Sequence, residues 1–269
     1  MNNILVTTDF SSAANKAIDY AAHFAKQTNR KLTIANFKIS PPLAEPVVCR
    51  YIRETPEILE EMSETIQKNY SIPCNYIAER TEKSLPKVME DLSAETDLIV
   101  MGTNGVDDLY QYFFGTNAYQ VIKRSKCPVL IVPEGVVYKP VERIVFAWDY
   151  TPENKIAFSQ LNMLLKNNHT EITFLHISHQ ETAVSDSVFQ ALKESVSSQF
   201  HENKMLKFVR VFSDKSENFP NKLLEYAKQI NASLLVTTQY NRGIQTVFHG
   251  AMTRRLSEMV TFPLLVLHV

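Results

Sequence analysis

The sequence predicts an α/β protein made of two doubly wound domains in tandem, each built on a five-stranded parallel sheet. Two observations carry this. The chain repeats itself at a nearly constant offset, and within each half short apolar runs alternate with segments of helical period. With 269 residues, 45% of them hydrophobic and 21% charged, there is apolar material for two ordinary cores.

The repeat comes first, because it sets the domain count. Ile4-Leu5-Val6-Thr7-Thr8-Asp9-Phe10 returns as Ile144-Val145-Phe146-Ala147-Trp148-Asp149-Tyr150, an apolar run ending in Asp and an aromatic residue. Lys31–Phe37 returns as Glu171–Ile177, Asp97–Val100 as Ser233–Val236, and Cys127–Val132 as Phe262–Leu267. The order is kept and the offsets stay between 134 and 140 residues. The boundary falls in the segment Glu134–Glu142, which holds Gly135 and Pro140, giving domains 1–138 and 139–269.

In the first half the expected strands are Ile4–Thr7, Leu32–Phe37, Cys74–Ala78, Leu98–Met101 and Val129–Val132. They are short, mostly apolar and bounded by turn residues, as strands buried on both faces are. Ala14, Ala17, Ile18, Ala21, Ala22 and Ala25 form a helical stripe, with Ser11 or Ser12 as its cap. The segment Pro41–Pro46 reads as a loop, either a flap or a plain connection, leading to a helix from about Pro56 to Tyr70. A third helix starts near Ser84, with Pro86 in its first turn; its counterpart has Asn218 before Pro220, then Leu223, Leu224, Ala227 and Ile230. Alternation of this kind gives right-handed crossovers and a sheet covered on both faces, with ligands beyond the carboxyl ends of the strands.

Composition excludes several classes. Lys plus Arg total 28 against 29 Asp plus Glu, with 14 basic and 17 acidic residues up to position 138 and 14 and 12 after it. Neither half has the basic excess of a nucleic-acid binder. The apolar runs at Pro128–Pro133 and Pro263–Val269 are too short to span a bilayer, and Met1-Asn2-Asn3-Ile4 lacks a secretory pattern. Cys49, Cys74 and Cys127 form no CxxC and no even disulfide framework, so a reducing cytoplasm is expected.

The stretch that carries chemistry is Met101-Gly102-Thr103-Asn104-Gly105, followed after nine residues by Gly115-Thr116-Asn117. Gly102 closes a strand and Gly115 precedes a helix. Glycines let backbone approach a ligand, and a helix starting at Thr116 offers unpaired N–H groups to phosphate. No Gly-Lys-[Ser/Thr] and no GxGxxG occurs, so this is neither a Walker loop nor a dinucleotide fingerprint.

On Thr8-Asp9-Phe10-Ser11, the Gly102-x2-Gly105-x9-Gly115-Thr116 loop and the closing strand Cys127–Val132, the chain resembles the universal stress protein family in its tandem two-domain form. The resemblance implies Rossmann-like domains of the adenine nucleotide alpha hydrolase type, with ATP and Mg²⁺ as expected ligands. Carried onto matching positions, it places Asp9 and the Phe37 backbone at the base and its surroundings. Met101, Gly102 and Gly105 would line the ribose and first phosphate, and Gly115, Thr116 and Asn117 would bind the outer phosphates. Asn104 and Val106 depart from the His and basic residue often found there. Asp107 and Asp108 follow: turned inward they weaken ATP or call for Mg²⁺, turned outward they are solvated.

The second half has no glycine at the places of Gly102 and Gly105, one residue fewer before Gly250, and Ala251 in place of Thr116. It reads as structural; Arg242, Arg254 and Arg255 read as a solvated face, with recognition of an acidic partner as the alternative. His176 and His179 stand at HxxH spacing without a third ligand, which reads as coincidence. The expected function is an ATP-dependent switch or sensor in the stress response, with at most slow hydrolysis because no general base is arranged. The alternative is a nucleotide-free interaction or dimerisation protein of the same family; an adenylating enzyme would need an SGGxDS motif, which is absent. The last strand of each half is expected to pair with the other in an internal pseudo-dimer, leaving homodimerisation through another surface open.

Overall fold

Short runs of Ile, Leu and Val with no polar break can be buried on both faces, and each becomes a strand between helices. The computed structural model describes residues 2–39, 46–103, 116–151, 154–165, 169–178, 184–200, 204–212, 219–240 and 262–269. They fall into two units, Met1–Tyr138 and Lys139–Val269.

The first unit runs β1 (Asn3–Thr7), α1 (Ser12–Thr28), β2 (Lys31–Ile39), α2 (Pro46–Tyr70), β3 (Cys74–Thr81), α3 (Leu85–Leu92), β4 (Leu98–Thr103), α4 (Thr116–Arg124) and β5 (Val129–Pro133). Its strands lie in the order β3-β2-β1-β4-β5, every neighbouring pair parallel. Packing contacts join α1 with α2 and α3 with α4, as expected when the crossover direction reverses after β3. The alanine stripe of α1 is wholly buried, and the small side chains let that helix lie close over the sheet. Ser11 is the cap, its Oγ accepting from the Ala14 N–H at 3.2 Å. The helix ends at Asn29, left-handed at φ 54°, whose N–H reaches the Ala25 and Lys26 carbonyls.

The second unit repeats the plan: β6 (Arg143–Ala147), α5 (Asn154–Leu164), β7 (Thr170–Ser178), α6 (Asp186–Ser197), β8 (Lys204–Phe212), α7 (Phe219–Gln229), β9 (Leu234–Gln239) and β10 (Leu264–His268). Its order is β8-β7-β6-β9-β10, again parallel throughout. Two doubly wound α/β units with five-stranded parallel sheets are therefore present, as the sequence predicts.

One boundary is corrected. The helix expected to open at Pro56 opens at Pro46, and Pro56 lies inside it. Pro46 takes the first helical position, where a missing N–H costs nothing. Pro56 removes one interior hydrogen bond, but flanking turns carry the helix across it.

Candidate functional site

In a doubly wound sheet the crevice opens where strand order reverses, which in the first unit is the end of β1 between β2 and β4. Ladder parity decides what faces it. Lys31 and Ala35 exchange bonds with the β1 side, through Lys31 N–H to Asn2 O (2.9 Å) and Thr8 N–H to Ala35 O (2.8 Å). Alternation then turns the Phe37 N–H and C=O the same way, past the end of β1. On the other flank, Ile99 N–H bonds Pro128 O and Thr103 O accepts from Glu134 N–H, so both face β5 and Gly102 faces β1. Two strands thus present backbone groups to the space where the short central strand stops.

The chain leaves β1 through a tight turn. Phe10 is left-handed at φ 65° and its N–H donates to Thr8 Oγ1 at 3.0 Å. Asp9 Oδ1 accepts from the Ser11 N–H at 3.0 Å, and its carboxylate stays exposed at the mouth. The buried Asn36 amide donates to Thr8 O at 2.6 Å and fixes the turn against β2.

Gly102 has a second reason to be glycine. A Cβ there would stand 2.3 Å from Ala13 O and 2.6 Å from Ala13 C, backbone atoms that cannot move aside. Close approach of β4 to the start of α1 is the constraint, independent of any ligand. Met101, its neighbour in β4, is buried. Thr116 opens α4 and Asn117 is exposed in its first turn. Gly105 and Gly115, the Thr116 side chain, and Val106, Asp107 and Asp108 lie outside the described residues.

The second unit puts the same turn to different use. Tyr150 repeats the left-handed conformation at φ 66°, and His176 takes the place of Asn36. Its Nδ1 lies 2.8 Å from Trp148 O; a carbonyl only accepts, so Nδ1 carries the proton. The ring stacks on Tyr150 with centroids 3.7 Å apart, and burial lowers its pKa. Asp149 is enclosed where Asp9 is open. Its Oδ1 accepts from Thr151 N–H (3.2 Å), Thr151 Oγ1 (3.0 Å) and Asn154 Nδ2 (2.7 Å), and its Oδ2 from the Tyr240 hydroxyl (2.6 Å). Burial first, and then the Asp149 charge, push the Tyr240 phenol far above its ordinary range.

Tyr240 is the residue that sequence reasoning passed over. The signal was present, since an aromatic residue stands where the first half has Asn104. His179, Arg242, Arg254 and Arg255 lie outside the described residues. Among the described residues, no cluster of three His, Cys, Asp or Glu is arranged to hold a metal, and no helix is long and apolar enough to cross a membrane.

A doubly wound α/β unit with an exposed carboxylate and converging backbone groups at its strand switch defines a class of domain. The family model for the universal stress protein family matches residues 1–133. A universal stress protein of Methanocaldococcus jannaschii is 28% identical over 146 residues, 48% of this chain and 80% of its own. One of Bacillus subtilis is 25% identical over 145 residues, 49% of this chain and 98% of its own. The crystal structure of a universal stress protein from Archaeoglobus fulgidus covers 99% of this chain and 98% of its own, with TM-score 0.77 and 17% identity, a likeness of fold. Over residues 1–133, the first unit belongs to the universal stress protein family.

Proposed function

We propose that this is a stress-response protein that binds one adenine nucleotide per chain, ATP with Mg²⁺, in its first unit, and that the bound nucleotide acts as a switch. The observation that carries the reading is the open end of β1. The Asp9 carboxylate is exposed there, and Phe37 and Gly102 turn backbone donors and acceptors toward the same space. Asp9 accepts from a nucleotide donor, and Phe37 and Gly102 contact it through backbone. Met101, Gly102 and Gly105 line the ribose and first phosphate, and Gly115, Thr116 and Asn117 bind the outer phosphates, with the N–H groups at the start of α4 as donors. The second unit keeps its structural role, because its carboxylate is already engaged.

Titration calorimetry tests the reading: one ATP per chain is expected, and two equivalent sites would refute it. Gly115→Val places a side chain where phosphate must lie and is expected to abolish binding; unchanged affinity would show the pocket to be misplaced. Hydrolysis is expected to be slow and Mg²⁺-dependent, since the sequence offers phosphate donors but no recognisable arrangement of a base to activate water, and turnover of many ATP per second would contradict that.

A further inference from the structure

Four positions at which the two halves differ converge on a single phenol. Where the first unit has Ser11, Ala14, Gly102 and Asn104, the second has Thr151, Asn154, Thr238 and Tyr240. The Tyr240 hydroxyl lies 2.6 Å from Asp149 Oδ2, 2.6 Å from Thr151 Oγ1 and 3.3 Å from Asn154 Oδ1, and Thr238 also hydrogen-bonds it. The phenol's single proton goes to the carboxylate, the strongest acceptor of the set. Tyr240 is 8% exposed and Asn154 1%. Its side chain leaves the end of β9 and reaches the turn after β6, across the place where strand order reverses.

Each replacement has its own consequence. Gly102 leaves no room for a side chain beside α1, whereas Thr238 supplies a hydroxyl at that point. Ala14 offers no polar group, whereas Asn154 donates to Asp149 Oδ1 at 2.7 Å. The four belong to one network: Thr151 and Asn154 donate to Asp149, and Thr238 hydrogen-bonds the Tyr240 hydroxyl.

We infer that Tyr240 is a resident occupant of the second unit's crevice: its phenol fills the end of β6 and satisfies Asp149, closing this unit to small-molecule ligands. The exchange of Gly102 for Thr238 is then part of a plug, in addition to the loss of a phosphate loop. A ligand entering the crevice must displace a buried ring and replace its charge-assisted hydrogen bond. The inference concerns the second unit alone and does not rest on nucleotide binding in the first.

The test is to remove the plug and supply it in solution. Tyr240→Ala in the full chain leaves a phenol-shaped space with a carboxylate at its end, and truncated aromatic sites accept small aromatic molecules. The variant is expected to melt below the wild type. 4-Methylphenol should raise its Tm with increasing concentration while leaving the wild type unchanged, and toluene, which lacks the hydroxyl, should raise it less. Equal response of variant and wild type, or equal response to the two probes, would overturn the inference. Tyr240→Phe guards against a variant that does not fold: it keeps the ring, so a folded protein with lowered Tm and no response to 4-methylphenol is expected. A Tyr240→Phe protein as stable as the wild type would show that the hydroxyl anchors nothing. These are thermal readings without nucleotide, so their failure is distinct from failure of the ATP reading.

Discussion

Asn36 and His176 hold the same carbonyl in two copies of one turn, and the difference between them makes one copy sensitive to acid. Asn36 donates an amide N–H to Thr8 O, whereas His176 donates Nδ1–H to Trp148 O and stacks on Tyr150. Burial holds the folded imidazole below its ordinary pKa of 6.5, so between the two values the unfolded chain binds the extra proton. Stability therefore falls as pH drops from about 6.5 toward the folded pKa. His176→Asn keeps a donor to Trp148 O and removes the titration; its Tm is expected to decline less than the wild type's between pH 7 and pH 5, and parallel curves would exclude the mechanism. Gly102 supports a second expectation. Gly102→Ala drives a Cβ into Ala13 O and should cost about 1–3 kcal/mol in urea unfolding, with or without nucleotide. A binding loss in Gly102→Ala would therefore not by itself locate a ligand.

At the scale of elements, α2 carries a proline where a helix least tolerates one. Pro56 has no N–H for the carbonyl four residues back, and its ring crowds that carbonyl, a defect of about 3 kcal/mol in a helix interior. Pro56→Ala is expected to raise stability by up to that amount, and a lowered Tm would mean that the proline ring is needed for packing. The sequence made the strands legible because their apolar cores need no distant partner to be recognised: Ile4–Val6, Leu98–Val100 and Val129–Val132 are all fully buried. Their ends were less legible. β3 runs to Thr81 and β8 covers Lys204–Phe212 with polar residues that a backbone ladder holds regardless of hydropathy. Pro56 misled because proline usually marks a start. The Asp149 turn was found from its repeat of Asp9, but its partner Tyr240 lies 91 residues away, and no local period reveals such a pairing.

At the scale of the whole molecule, the segment between the units is committed residue by residue. Tyr138 stacks on His23, meets Tyr20 edge-on and donates to Gln27, all on α1. The next residue belongs to the second unit, where Lys139 Nζ bonds Asn231 Oδ1 at 3.3 Å and Val141 is fully buried. A cut between Tyr138 and Lys139 therefore leaves each side with its own anchors. What it tests is the last strand of each half. Among the described residues of its unit β5 has β4 as its one neighbour and β10 has β9, and both strands are apolar over most of their length. An uncovered apolar edge pairs with whatever strand it meets. The sequence expectation is that the two strands cover one another, and residues 1–138 expressed alone decide it. That fragment is expected to elute at twice its mass or to precipitate. A 1–138 fragment that is soluble, folded and monomeric at high concentration would show that β5 needs no partner strand.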